Sequence, residues 1–376
     1  MNGFLLIIPV LFVACAKQEK LDKKIDSIAI SEVFESRIHL SRIAQIDSFK
    51  IVNATGYRDL GEVKYAWPFY DGWIVHSSLP AAVSRLNQRC EVIQQVVPDF
   101  RLGEITSVAV SGREIFILDR AARKIHRYDD SLKWQEEFNL PVFAQSFTML
   151  GSRLAVLYTG NETTEYNQGK LVMYNIEQAK VLKDLIPVSA KQGKYFNFLT
   201  TYHFPKSTGE TFFWDSAINF IYAVDKEGIE PVYQIDYGTW GLPEKFYDEA
   251  EFDNAYDFVM QLRKQDYAFR HFKVLVNEEC ILLTFEKAGD YLTSLYSRTT
   301  GRTITFSTMT DDTQVFQRLD DIKLQFFVSF YGKNSFVGFL PVELLAIKDN
   351  AENPDAEVIA GKAVLVFGRL KHPVVQ

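Results

Sequence analysis

A short unit of strand, tight turn and strand recurs along this chain, and the recurrence restricts its architecture more than any other feature. The clearest copy spans residues 211–238, TFFWDSAINFIYAVDKEGIEPVYQIDYG. Apolar or aromatic runs at 211–214, 220–224 and 232–235 are separated by turn-rich pieces at 215–219 and 225–228. Runs of this kind, bounded by Asp, Asn and Gly, read as consecutive antiparallel strands. Related units lie at 57–98, 100–141 and 142–187, and again from 270 to 308.

An internal register supports these divisions. Asp119, Ile125 and Asp129 stand at the same spacing as Asp215, Ile221 and Asp225, and as Ser77, Val83 and Asn87. The polar residue at each strand end can bond turn amides, and the residue between them points into a packing layer. Asp119 and Asp215 are therefore read as turn formers ahead of acid catalysts. The final unit has three convincing strands, at 324–330, 336–340 and 363–369. The alternating stretch 43–52, IAQIDSFKIV, supplies the fourth from the other end of the chain. Closing a ring this way removes exposed sheet edges. Six units of roughly 40 to 60 residues predict an all-β, six-bladed β-propeller of four-stranded antiparallel blades. A seventh blade is the alternative, hidden in residues 242–269. That segment reads as a helical insertion, with Phe246, Ala250, Phe258 and Leu262 near helical spacing.

Composition enters at two points. The 30 Phe and 18 Tyr suit pleated, half-buried surfaces. A net charge of -7 without long runs excludes nucleic acid as a partner. The amino terminus stands apart from the fold. FLLIIPVLFV at 4–13 is too short to span a bilayer and has the length of a signal-peptide core. Ala14 and Cys15 follow it, then the charged stretch AKQEKLDKKID. This order resembles a bacterial lipoprotein signal, although Phe12 stands where that motif usually has Leu. The resemblance implies cleavage before Cys15 and lipidation of its thiol. An ordinary signal peptide with an incidental cysteine is the alternative. The domain reading is thus a signal peptide at 1–14, a lipidated cysteine and tether at 15–36, and the propeller at 37–376. Cys90 and Cys280 are expected to be buried and unpaired.

ILDRAARKIHRYD, at 117–129, looks like an NHL-type propeller repeat. HLSRIAQIDSFKIV at 39–52, IYAVDKEGIEPVYQIDYG at 221–238, LPEKF at 242–246 and AENPDAEVIAGKAVLVFGRLK at 351–371 carry a wider likeness. By these pieces the chain resembles the six-bladed β-propeller lipoproteins of Bacteroides-type bacteria. The turn common after the first blade of that family is reduced here to Leu102-Gly103-Glu104. The resemblance implies a fold and an outer-membrane address, periplasmic or surface-exposed, but no activity.

No phosphate-binding glycine loop, HExxH pair, CxxC pair or nucleophile elbow is present. The six histidines are scattered, and neither a metal site nor a cofactor is expected. Trp214 is read as blade packing rather than a ligand-stacking ring. Glu249, Glu251, Asp253 and Asp257 read as a solvated helix face. The sequence leads to a lipid-anchored, non-catalytic binding or scaffolding module for a glycan, a peptide or a partner protein of the envelope. The alternative is a hydrolase or lyase acting on polysaccharide at the mouth of the central channel, which would need ionisable groups converging there.

Overall fold

The computed structural model describes residues 25–30, 34–161, 164–166, 168–188, 203–216, 218–243, 246, 252, 254–313, 322, 326–341 and 363–371. Cys15, the signal segment and residues 351–362 lie outside them, as do Glu249, Glu251 and Asp253. Six sheets form a six-bladed β-propeller. Blade 1 spans 63–96, blade 2 107–139, blade 3 146–187, blade 4 206–236 and blade 5 268–310. Blade 6 combines Phe327–Tyr331, Ser335–Pro341 and Ala363–Leu370 with Ala44–Ile51. That last strand pairs antiparallel with Ala363–Leu370, from Ala44 opposite Leu370 to Ile51 opposite Val364. The expected closure between the two halves of the chain is therefore present.

The blades form where strands alternate with turn chemistry. Gly112, at φ +59, makes the turn after the first strand of blade 2. Asp129, Asp225 and Asn87 accept bonds from amides two to four residues on, such as Glu227 N at 2.8 Å and Arg89 N at 2.9 Å. Ile125, Ile221 and Val83, the middle positions of the repeated register, are fully buried. The first strands of the blades approach one another around the axis, and the fourth strands form the rim.

Between each pair of neighbouring blades lies a separate apolar wedge. Three wedges are filled largely by blade residues, such as Phe116 with Phe147 between blades 2 and 3. The other three receive side chains from an amino-terminal belt. Asp26–Ala29 adds a parallel strand to the outer edge of blade 4, and Glu35–His39 does the same on blade 5. The belt becomes the fourth strand of blade 6, then bridges in parallel from Asn53 to Glu91 at the rim of blade 1. Ile28 and Ile30 enter the wedge between blades 4 and 5, and Ile38, Leu40 and Ile43 the next. Val52, Ala54 and Leu60 enter the wedge between blades 6 and 1. The expected tether runs to residue 36, but 26–29 and 35–36 belong to the fold, because their backbones pair in parallel with blades 4 and 5 while Ile28 and Ile38 enter the wedges.

The insertion is helical over part of its described length. Its helix, Ala255–Lys264, is capped by Asn254, whose side chain accepts from the amides of Tyr256 and Asp257. Phe246, Phe252, Phe258 and Leu262 form a small core with Phe269 of blade 5. Blade 5 begins at Ala268, inside the expected helical range. In blade 4 a first strand was expected at 200–204. It is the short Lys206–Ser207 instead, and 200–202 lie outside the described residues.

Candidate functional site

The axis is where a propeller can converge residues distant in sequence. Among the described residues it holds a small crevice. The first strands carry aromatic, β-branched and hydroxyl side chains inward, leaving a crevice of about 10 Å³, the space of about one water molecule. Trp67, Ser107, Phe147, Thr148, His203 and Lys206 are among its walls, drawn from blades 1 to 4. Lys206 Nζ donates to the backbone oxygen of Val110 at 3.0 Å, joining blade 4 to blade 2. Lost hydration pushes this ammonium down to about 8. Lys273 of blade 5 donates to the oxygen of Phe327 in blade 6 at 2.9 Å, and burial, with Lys64 nearby, lowers it to about 8.

Beside the crevice lies a buried polar network. The His203 ring packs 4.1 Å from that of Tyr158, and His203 Nδ1 donates to the oxygen of Trp214 at 3.0 Å. The Tyr158 hydroxyl donates to Asp215 Oδ2 at 2.8 Å, and Lys170 Nζ reaches the same oxygen at 3.2 Å. Lys170 is 1% exposed and Asp215 2%. Burial and the Asp215 charge hold the Tyr158 phenol far above its usual range. Nearby, the Tyr237 hydroxyl and His271 Nδ1 share a 2.9 Å hydrogen bond, and burial drops His271 to about 4. Burial likewise drops His76 to about 3. The His76 and His271 imidazoles are neutral near pH 7, and His203 joins the network to the crevice wall.

The expected turn role holds for Asp119. Asp119 accepts from the amides of Gly103 at 2.7 Å, Glu104 at 3.3 Å and Ala122 at 2.9 Å. It thereby ties the shortened Leu102–Glu104 turn to the strand it precedes. The Asp215 carboxylate serves the buried lysine and tyrosine of blade 3. Trp214 is 1% exposed and packs on His203 and His271, as blade packing predicts. Cys90 and Cys280 are buried free thiols. Among the described residues no group of three or more His, Cys, Asp or Glu side chains is placed to hold a metal ion.

Sequence reasoning missed Lys170, Lys206 and Tyr158. The only signal was a lysine opening an apolar strand in GKLVMYN. It also missed two exposed groups of rings and arginines on blades 1 and 2. Tyr70 is 63% exposed, Phe100 90% and Trp134 40%. Arg113 lies 5.2 Å over the Tyr70 ring and is paired with Asp130. Arg101 lies 5.3 Å from the centroids of both Phe100 and Trp134. Cation–π contacts of this kind hold guanidinium groups against rings while leaving both accessible.

Comparison with known proteins bears on the fold. The family described as "Domain of unknown function (DUF4934)" matches residues 104–361, and the chain belongs to it. Among solved structures, a Bacteroides fragilis protein called an exported protein is similar, at 17% identity and a TM-score of 0.68. The match covers 93% of this chain and 100% of that one. A member of the duf4221 family from Bacteroides vulgatus matches at 8% identity and a TM-score of 0.52, over 88% of this chain and 98% of that one. Identities this low speak to the fold alone. No curated protein matches the chain in sequence.

Proposed function

We propose that this member of the DUF4934 family is a non-catalytic binding or scaffolding module of the cell envelope. It meets a glycan, a peptide or a partner protein with its outer surface rather than its channel. The observation that carries this reading is the exposure of Phe100 and Trp134 against Arg101, and of Tyr70 against Arg113. Aromatic side chains and arginine dominate binding hot spots, because they offer area, stacking and directed donors at once. A large ring left almost wholly in water gains nothing from the fold and becomes useful when a partner covers it. A crevice of about 10 Å³ is far below the few hundred Å³ of ordinary ligand pockets. A hydrolase would need two carboxylates flanking an open cleft. Asp119 and Asp215 are buried and engaged, so neither supports that alternative.

The NHL-like lipoprotein reading belongs to the same proposal. Cys15 would carry lipid and hold the propeller at the outer membrane through a tether ending near Ile25. No helix among the described residues is long and apolar enough to cross a membrane. Metabolic labelling with a palmitate analogue should mark the wild type and not Cys15→Ala; label retained by the variant would remove the anchor from the account. The surface is tested with glycan and peptide arrays. Phe100→Ala combined with Trp134→Ala should weaken any specific binding at least about tenfold, an order set by hot-spot losses of about 2 kcal/mol, with thermal stability unchanged. Undiminished binding would place the ligand elsewhere.

A further inference from the structure

Among the described residues, the arginines that lie over aromatic rings also hold a carboxylate, with one exception. Arg85 pairs with Asp71, Arg113 with Asp130, Arg120 with Glu104, Arg127 with Glu114 and Glu136, and Arg298 with Glu210. Arg101 is the exception. Its guanidinium lies 5.3 Å from the ring centroids of both Phe100 and Trp134, and the residue is exposed. Among the described residues that guanidinium has no ion-pair or hydrogen-bond partner. The neighbouring carboxylate, Asp99, is occupied by the turn itself. Its Oδ1 accepts from the amides of Arg101 at 2.8 Å and Leu102 at 3.0 Å, and the Asp99 amide donates to the Leu102 oxygen at 2.8 Å. Leu102, 1% exposed, anchors this turn in the wedge between blades 1 and 2. The backbone that presents Phe100 and Arg101 is thus fixed before any ligand arrives, which lowers the cost of binding. A guanidinium held against rings keeps its in-plane donors free, and their fork matches the two oxygens of a carboxylate.

We propose that Phe100, Arg101 and Trp134 form a subsite for an acidic saccharide, a uronic acid residue within a glycan. Its carboxylate pairs with Arg101, while the C–H face of its pyranose lies on one of the two rings. A pyranose carries its carboxylate on a rigid ring with an apolar face, so one sugar meets both halves of the subsite. An acidic peptide carries its carboxylate on a flexible stem and offers the rings nothing. This inference rests on the surface reading given above and adds the ligand class to it.

The test titrates the purified protein calorimetrically with oligosaccharides of galacturonate, glucuronate and mannuronate, each beside its carboxyl-reduced, neutral form, and with oligoglutamate. At least one oligouronate should bind, and its reduced form should bind about tenfold more weakly or worse, the order set by losing a hydrogen-bonded charge pair. Arg101→Met should weaken the oligouronate by the same factor and leave the reduced form unchanged, with Arg101→Lys falling between. Should Arg101→Met fold poorly, the acid and reduced ligands still decide the question on the wild-type protein. No binding of any oligouronate would overturn the proposal, as would binding of oligoglutamate alone. Equal affinity for acid and reduced forms would overturn it too. In that last case, weaker binding by the Phe100→Ala, Trp134→Ala variant would leave the surface reading standing without its carboxylate. Binding indifferent to that variant would remove the surface as well.

Discussion

Lys170 and Asp215 form an ion pair that is nearly inaccessible and joins different blades. Removing one partner of a buried pair leaves the other charge uncompensated, at a cost of about 3–5 kcal/mol. Lys170→Met alone should therefore destabilise the propeller by about that amount in urea unfolding, whereas Lys170→Met with Asp215→Asn should recover a large part of it. A double variant no more stable than the single one would show that the pair is not coupled. His76 and His271 give a pH signature. Both are depressed by burial, to about 3 and about 4, from an ordinary value near 6.5. The unfolded chain then binds more protons than the folded one below pH 6.5. Their contribution is complete above that pH and is lost as the pH falls toward 4 and below, by about 1.4 kcal/mol per pH unit for each histidine. Denaturation midpoints that stay flat between pH 7 and 4.5 would contradict this. At this scale the sequence was partly legible. Asp119 bonds its turn as its position implied, because turn geometry is local. Asp215 occupies the matching register position, but its contacts with Tyr158 and Lys170 were not legible, because those residues arrive from another blade and no local pattern announces them.

The amino-terminal belt is the element that departs most from a plain ring of repeats. It passes along blades 4, 5, 6 and 1, and its isoleucines and leucines complete three of the wedges between blades. Blades 2 and 3 are held to their neighbours without it. Ile38 is 1% exposed between blades 5 and 6, and deleting most of such a side chain leaves a cavity. Ile38→Ala should cost about 2–5 kcal/mol in equilibrium unfolding, while the same change at Ile93, which is 40% exposed on the rim of blade 1, should cost much less. Equal losses would mean that the belt does not brace the ring. Most blade strands could be placed from sequence within a residue or two, since each pairs with its sequence neighbour across a short turn. The closure by residues 44–51 was also legible, because the last unit visibly lacked a strand. The parallel additions at 26–29 and 35–39 were not, because pairing with strands some 200 or more residues away leaves only a weak alternation in the chain.

At the scale of the whole molecule, the described residues give the ring a small axial crevice, a buried polar network beside it and rings with arginines displayed outside. The inner strands bring ionisable groups together and then satisfy them internally, through Lys206 with Val110, Lys273 with Phe327, and Lys170 and Tyr158 with Asp215. That arrangement makes the hub a brace and leaves the periphery to meet partners. The exposed groups were invisible in the sequence because Tyr70, Phe100 and Trp134 belong to different turns and strands, and their high exposure runs against the usual fate of aromatic residues. The central claim is that ligands are bound at this surface and left chemically unchanged. The most direct measurement incubates the protein with each glycan or peptide that it retains on an array, then analyses the recovered ligand by mass spectrometry. The account predicts intact ligand, with retention lost in the Phe100→Ala, Trp134→Ala variant. Cleavage products that accumulate with time and persist in that variant would contradict it and move the activity back to the channel.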